Sequence, residues 1–221
     1  MGYLKKVIMH PVGVVIISIV LIVLSNYPSF FLSKYGLLTK GSLGFLYFVN
    51  LSALILLFIV PILIIKFILK RPLEEFGLSS PKNWNEAVKL TTLATIVLLS
   101  ILFFIAKDSG FQKFYAVKEG FGVFFLLATL GSGIYYVGEE FLFRGFMFFA
   151  LSERVHFHSF WITSLVFALL HATKPSGEVI FAFISSLIFC YLSQKTRSFL
   201  PAFAVHFIIA LGFNLMVMFH Y

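Results

Sequence analysis

The sequence predicts an all-α protein, a polytopic transmembrane helical bundle of about seven spans, with eight spans as the alternative. Two observations predict this fold class. Hydrophobic residues make up 60% of the 221 residues, charged residues only 12%, and 30 residues are phenylalanine. The apolar residues also form long runs, and a helix needs a run of about 20 such residues to cross a bilayer. An ordinary soluble domain is excluded by this composition.

Seven apolar runs mark the predicted spans, and polar or proline-containing stretches separate them. The first span is expected to end near Asn26 and Pro28, and the second to be irregular at Pro61. Residues 66–89 predict a surface loop with a short interfacial helix. The fourth run has 32 residues, so it must tilt, bend or break, most simply at its glycines, Gly131, Gly133, Gly138 and Gly145. The predicted spans are 12–24, 45–65, 90–106, 120–151, 160–172, 179–192 and 200–220.

The basic residues cluster between the apolar runs. A net charge of +8 would point to nucleic acid in a soluble chain, but here it indicates contact with the lipid bilayer and no nucleic-acid partner. With seven spans, ten Lys and Arg fall on the side of the N-terminus and six on the other. This asymmetry predicts a multi-pass protein of the cell membrane with a cytoplasmic N-terminus.

The chain shows no linker and no internal repeat, so we expect one integral membrane domain over residues 1–221. The single cysteine, Cys190, excludes an intramolecular disulfide and a cysteine-based zinc cluster. Because it lies in an apolar run, we expect it to be a small core residue. The phenylalanines of the fourth run are expected to face lipid and neighbouring helices.

Two carboxylates and a guanidinium interrupt the fourth apolar run, at Glu139, Glu140 and Arg144. A charge at bilayer depth costs at least about 2–3 kcal/mol, so it is usually paired or functional. Glu140 and Arg144 are four residues apart and share a helix face, whereas Glu139 lies about 100° around the helix. We therefore predict that Arg144 holds Glu140 and leaves Glu139 for chemistry. A buried structural ion pair with a spare acid is the alternative.

Three further polar residues, His171, His206 and Asn214, lie within the later spans. At about 1.5 Å per residue, Glu139 and His171 each lie roughly 18 Å from the inner end of their helices, and His206 roughly 13 Å from its own. The predicted orientation puts those three ends on the same side. The acid and the two imidazoles are therefore expected to form one polar layer among the C-terminal four spans.

Such a layer has the groups needed to hydrolyse an amide bond by direct attack of water. A carboxylate and an imidazole can take a proton from water and return it to the leaving group. A second imidazole, or an amide, can donate a hydrogen bond to the oxyanion. Glu139, His171 and His206 could instead form a His₂Glu zinc site. No H-E-x-x-H motif accompanies them, so no cofactor is expected.

Three ordered motifs of this sequence resemble the CPBP family, the CAAX-protease and bacteriocin-processing (Abi) intramembrane proteases. They are Glu139-Glu140-x-x-x-Arg144, Phe167-x-x-x-His171, and His206 in the last span after a proline. The likeness covers residues 120–214, the expected catalytic core. It implies a helical intramembrane endopeptidase. A departure is Ala210, four residues after His206, where the family usually has Asn or Asp; Asn214 lies one turn further.

The resemblance also implies roles for individual residues. Glu139 and His171 would activate water, and His206 would be a donor on the oxyanion side. Glu140 and Arg144 would be structural or orienting, and Asn214 could replace the missing residue only if the helix bends or the site lies deeper.

The predicted function is hydrolysis of a peptide bond in a membrane-associated protein or peptide. The first alternative is a non-enzymatic bacteriocin-immunity or partner-binding protein whose polar cluster serves stability. A transporter or proton relay is the second, although the sequence shows no repeat of the kind many transporters have. The sequence does not identify the substrate, and a prenylated one is not the default expectation.

Overall fold

The computed structural model describes residues 2–39, 42–108, 110–111 and 123–219, and their regular structure is helical, with no strand among them. The predicted all-α class is confirmed. The helices are α1 Gly2–Ile8, α2 Pro11–Lys34, α3 Leu43–Leu69, α4 Trp84–Ile105, α5 Val123–Glu140, α6 Phe148–Val155, α7 His158–Leu169, α8 Ser176–Thr196 and α9 Leu200–Phe219. A π-helical segment, Phe141–Met147, joins α5 to α6, and a short 3₁₀ helix, Leu73–Phe76, lies between α3 and α4.

Five of these helices, α2, α3, α4, α8 and α9, are long and apolar enough to cross a membrane. The rod from α5 to α6 and the shorter apolar α7 correspond to the fourth and fifth predicted spans. The polytopic bundle is thus confirmed, whereas the exact number of crossings and the side of the N-terminus stay predictions. Residues 120–122 of the fourth predicted span and His220 lie outside the described residues.

Helix α2 continues through Pro28 to Lys34, so the predicted end of the first span near Asn26 and Pro28 is wrong. Side chains around the proline supply hydrogen bonds of their own. The Asn26 amide donates to the Ile22 carbonyl at 2.9 Å, and the Ser29 hydroxyl donates to the Asn26 carbonyl at 2.8 Å. An internal proline is tolerated in membrane helices because neighbouring groups and small backbone adjustments compensate for the missing hydrogen bond.

Helix α3 carries the irregularity predicted at Pro61, in the form of π turns. Its backbone is α-helical over Val60–Leu63 and π-helical on both sides, over Leu54–Ile59 and Ile64–Leu69. The helix begins at Ser42, whose hydroxyl accepts a hydrogen bond from the Phe45 amide at 3.2 Å.

The fourth predicted span is one continuous helical rod rather than a broken helix. The expected irregularity is the π-helical segment that begins directly after Glu140 and contains one of the predicted glycines, Gly145. A π segment adds a residue to the turn and often occurs at functional sites. The irregularity therefore lies immediately beside the acidic pair.

Every residue from Phe141 to Leu151 is buried, so this part of the rod is the centre of the molecule. A helix that is buried on all sides must be apolar on all sides, which explains the dense phenylalanines. They contact neighbouring helices and turns rather than lipid, so the expectation of lipid contact is wrong for this segment. The ring pairs are Phe58–Phe141, Phe141–Phe199, Phe143–Phe167, Phe76–Phe146 and Phe148–Phe160.

The loop between α3 and α4 closes one end of this core. It contains a short 3₁₀ helix, where the sequence predicts a short interfacial helix, and it buries Phe76 completely. Gly77 has a φ of +73°, and its carbonyl accepts a hydrogen bond from the Phe199 amide at 3.0 Å. The loop is thereby fixed to the turn that precedes α9, and so to the helix that carries His206.

Arg71 ties the same loop to α6. Its guanidinium pairs with Glu75 in the loop and with Glu153 on α6. The pKa of Arg71 is raised overall. The hydrogen bond with Glu153 raises it most, burial lowers it, and the hydrogen bond with Glu75 raises it again. Glu75 and Glu153 therefore form a surface ion-pair network with Arg71.

We expect Gly138→Ala to destabilise the protein by about 1–3 kcal/mol, because overpacking forces the backbone apart. A Cβ at Gly138 would lie 2.9 Å from the Ala53 carbonyl oxygen on α3. Denaturant unfolding of the purified protein in micelles measures the change. Gly44→Ala is the control, since its Cβ would meet only Leu38 at 3.7 Å. Equal stability of the two variants would contradict this account of the α3–α5 contact.

Candidate active site

Arg144 and Glu140 form an ion pair at the centre of the bundle, and both side chains are completely buried. One terminal nitrogen of Arg144 lies 3.0 Å from Glu140 Oε1. The guanidinium also lies over two aromatic rings, 4.3 Å from the centroid of Phe167 and 4.9 Å from that of Phe189. The cation is therefore stabilised by a carboxylate and by ring faces, which replace the water that this depth lacks.

His206 makes a contact that the sequence did not predict. Its Nδ1 lies 2.6 Å from Glu140 Oε1 and 3.7 Å from Glu139 Oε2. The ring of Tyr136 lies 4.3 Å from the imidazole, measured between centroids. Glu140 thus joins Arg144 to His206, and the imidazole orientation is set by the acid that the sequence assigns to structure. Glu139 is the acid left with the longer contact.

The hydrogen bond to Glu140 constrains what His206 can do. If Nδ1–H donates to the Glu140 carboxylate, a second donor at Nε2 requires the charged imidazolium. In that form the charges of Glu139, Glu140, Arg144 and His206 sum to zero. Buried charges are tolerated when they are paired, so this protonation state suits the site.

His171 lies just beyond the C-terminal end of α7, which stops at Leu169 and not at Ala172 as the sequence predicts. Its Nδ1 is 2.9 Å from the Phe167 carbonyl oxygen, an acceptor, so Nδ1 carries the proton. Nε2 is then left with a lone pair that can accept a proton from water. The Phe167 carbonyl therefore fixes the tautomer in which Nε2 of His171 is unprotonated, which is the form that a base needs.

Glu139, His171 and His206 all line one cavity of about 500 Å³. The size is typical of pockets that bind small ligands or short peptides. Most of its wall is apolar, including Phe167 and Phe189. The three residues thus share a single space between helices.

Asn214 lines this cavity, and so does Ala210. Eight residues of α9 separate Asn214 from His206, which corresponds to about 12 Å along the helix axis. Asn214 therefore does not take the place beside His206 that Ala210 leaves without a polar group. A polar group that does lie close to the acid is the Tyr135 hydroxyl, which is 3.5 Å from Glu139 Oε1.

Sequence analysis missed three residues of the site, Tyr135, Tyr136 and Asn50. The two tyrosines precede the two acids by one helical turn, so their i, i+4 spacing carried a signal that could have found them. Asn50 comes from α3, far away in the sequence, and only the packing of α3 on α5 brings it to the cavity.

Within the described residues, the group compact enough to hold a metal is Glu139, Glu140 and His206. His171 is not part of it, so the zinc set considered as an alternative, Glu139, His171 and His206, does not form such a compact group. The observed group fits a zinc ion poorly, because Glu140 already pairs with Arg144 and a neighbouring guanidinium repels a cation.

The fold and this cavity define a class, a helical membrane protein in which an acid, a buried ion pair and two imidazoles surround one cavity. Residues 118–212 match the family described as type II CAAX prenyl endopeptidase Rce1-like. This part of the chain contains all three motifs, and the match supports their resemblance to the CAAX proteases of the CPBP family. The family is one of proteases that act on membrane-associated proteins. The chain matches none of the curated proteins and none of the solved structures with which it was compared.

We expect Arg144→Met to cost about 3–5 kcal/mol of stability, since it leaves Glu140 as an unpaired buried charge. The double variant Arg144→Met with Glu140→Leu should recover most of that loss. Arg154→Met, at an exposed site on the same rod, is the control and should change stability by less than about 0.5 kcal/mol. Denaturant unfolding in micelles measures all three. A double variant less stable than the single would refute the ion-pair account.

Proposed function

We propose that the protein hydrolyses a peptide bond of a membrane-associated protein or peptide, with water activated by Glu139 and His171. One observation carries the proposal: Glu139 and both imidazoles line one cavity while Arg144 pairs with Glu140. The match of residues 118–212 to a protease family supports proteolysis in general, and the cavity supports these residues in particular.

The proposed chemistry begins with a water between the Glu139 carboxylate and Nε2 of His171. As the water oxygen bonds to the scissile carbonyl carbon, Glu139 takes one of its protons. The carbonyl π electrons move to oxygen, and Nε2–H of His206 donates a hydrogen bond to that oxyanion. When the C–N bond breaks, the proton on Glu139 passes to the departing amine, which leaves an acid and an amine as products.

Glu140 and Arg144 have a positioning role in this scheme. Glu140 holds Nδ1 of His206, so that Nε2 is the nitrogen left for substrate. Arg144 balances the charge of Glu140, so that the imidazolium does not have to neutralise two carboxylates alone. Neither residue needs to touch the reacting atoms.

Two kinds of substrate are consistent with this site. The family description names a prenyl endopeptidase, whose substrates end in a prenylated Cys-aliphatic-aliphatic-X sequence. An unprenylated membrane peptide has the same scissile amide. The cavity itself supports peptide-bond hydrolysis in either case, so a test of function must not presuppose the lipid group.

Glu139→Gln should abolish cleavage, because Gln keeps the shape of the side chain and removes the base; loss of a general base typically costs 10²- to 10⁴-fold. The measurement is quantitative proteomics of membranes from cells that express the wild type or the variant. Peptides cut by the wild type should accumulate intact with the variant. Glu74→Gln, at an exposed site, is the control and should cleave like the wild type.

Membrane peptide profiles that do not differ between the wild type and Glu139→Gln, at normal protein abundance, would refute the proposal. A non-enzymatic immunity or partner-binding role predicts that result, since it requires the cluster only for stability.

Purified protein treated with EDTA and 1,10-phenanthroline should retain its cleavage rate, because the proposed steps use only side chains and water. Cleavage is followed on the peptide that accumulates with Glu139→Gln. Loss of activity that returns on adding Zn²⁺ would show that a metal takes part and would overturn this mechanism.

A further inference from the structure

The cavity extends well beyond the catalytic layer and reaches a second polar layer, formed by Asn50 and Asn214. Both line the same space as Glu139 and His206. Asn214 lies about 12 Å from His206 along α9. Asn50 lies against Gly131, which precedes Glu139 by eight residues and so also lies about 12 Å away, along α5.

The two distances point in the same direction because α5 and α9 run antiparallel. Phe141, directly after the C-terminal end of α5, contacts Phe199 just before α9, whereas Gly133, about a turn and a half before Glu139, lies against Phe207. Moving back along α5 therefore corresponds to moving forward along α9. Asn50 and Asn214 thus lie beyond the catalytic layer on the same side of it.

The Asn50 amide has no hydrogen-bond partner among the described residues, although the residue is only 7% exposed. The Asn214 side chain also forms no hydrogen bond within the described part of the chain. Both residues line the cavity, so a molecule bound there can supply the hydrogen-bond partner that the protein does not. Gly131 makes room for the Asn50 amide, since a Cβ there would lie 2.8 Å from Asn50 Nδ2.

We propose that Asn50 and Asn214 bind main-chain amide groups of the substrate, three to four residues from the scissile bond; this inference rests on the proposed function. An extended peptide advances about 3.3 Å per residue, so 12 Å corresponds to between three and four residues. This count takes the substrate segment between the two layers as extended. An α-helical segment would instead place about eight residues in the same distance.

The chemistry of the primary amide supports a main-chain ligand. Asparagine both donates and accepts, which matches a peptide group that has one N–H and one C=O. A substrate that unwinds within the membrane loses its helical hydrogen bonds and finds no water to replace them. Two amides in an otherwise mostly apolar cavity replace those bonds without regard to the side chains of the substrate.

The test measures binding, so it does not depend on cleavage. Full-length protein carrying Glu139→Gln is placed in nanodiscs, and its affinity is measured for acetyl-Ala-Val-Ala-Val-amide and for the same peptide methylated at every main-chain nitrogen. We expect the unmethylated peptide to bind at least about tenfold more tightly, because methylation removes the donors. Adding Asn50→Leu or Asn214→Leu should weaken its binding roughly threefold to tenfold each.

Two further variants separate this account from a general loss of structure. Gly131→Ala keeps Asn50 but displaces its amide, and should weaken peptide binding to a similar degree as Asn50→Leu. Asn26→Leu is the control on the same cavity wall, because the Asn26 amide already donates to Ile22, and it should leave binding unchanged.

No binding of the unmethylated peptide, or binding that is unaffected by Asn50→Leu, Asn214→Leu and Gly131→Ala, would overturn the inference. Those results would leave the proposed hydrolysis standing, since that depends on the loss of cleavage in Glu139→Gln alone. Conversely, cleavage that survives Glu139→Gln would refute the proposed function even if the peptide bound as expected.

Discussion

The burial of Arg144 and Glu140 is the constraint on which the rest of the site depends. Both side chains are fully buried in a chain with few charges, so each must find its partners within the protein. The partners come from different helices: the rings of Phe167 on α7 and Phe189 on α8, and the imidazole of His206 on α9. A single ion pair thereby fixes how three helices meet the rod that carries it.

This arrangement divides the work between two adjacent acids. Glu140 is occupied by a cation and by an imidazole, whereas Glu139, one residue earlier, faces the cavity with a 3.7 Å contact to His206 and a 3.5 Å contact to Tyr135. Helix geometry makes this possible, since consecutive residues point about 100° apart. The π-helical segment starts immediately after the pair, so the backbone irregularity of the rod coincides with its chemistry.

Much of the fold and the main polar residues could be predicted from sequence, because both rest on local signals. Apolar run length predicts the helices, and a charge inside such a run singles out Glu139, Glu140 and Arg144. Contacts between distant segments could not be predicted, as the hydrogen bond of His206 to Glu140 and the place of Asn50 illustrate. The passage of α2 through Pro28 was missed for another reason, since the rule that a proline ends a helix is weaker in membrane helices than in soluble ones.

The distance from His206 Nδ1 to the carboxyl carbon of Glu140 tests the central claim, that Glu140 and not Glu139 holds this imidazole. Rotational-echo double-resonance NMR on protein with ¹⁵N-histidine and ¹³Cδ-glutamate measures it directly in lipid bilayers. The account predicts strong dephasing of the His206 signal, for a separation of about 3–4 Å, that persists in Glu139→Gln. In Glu140→Gln only the weaker dephasing from the more distant Glu139 carboxyl should remain. Dephasing that instead stays strong in Glu140→Gln and falls in Glu139→Gln would contradict the account.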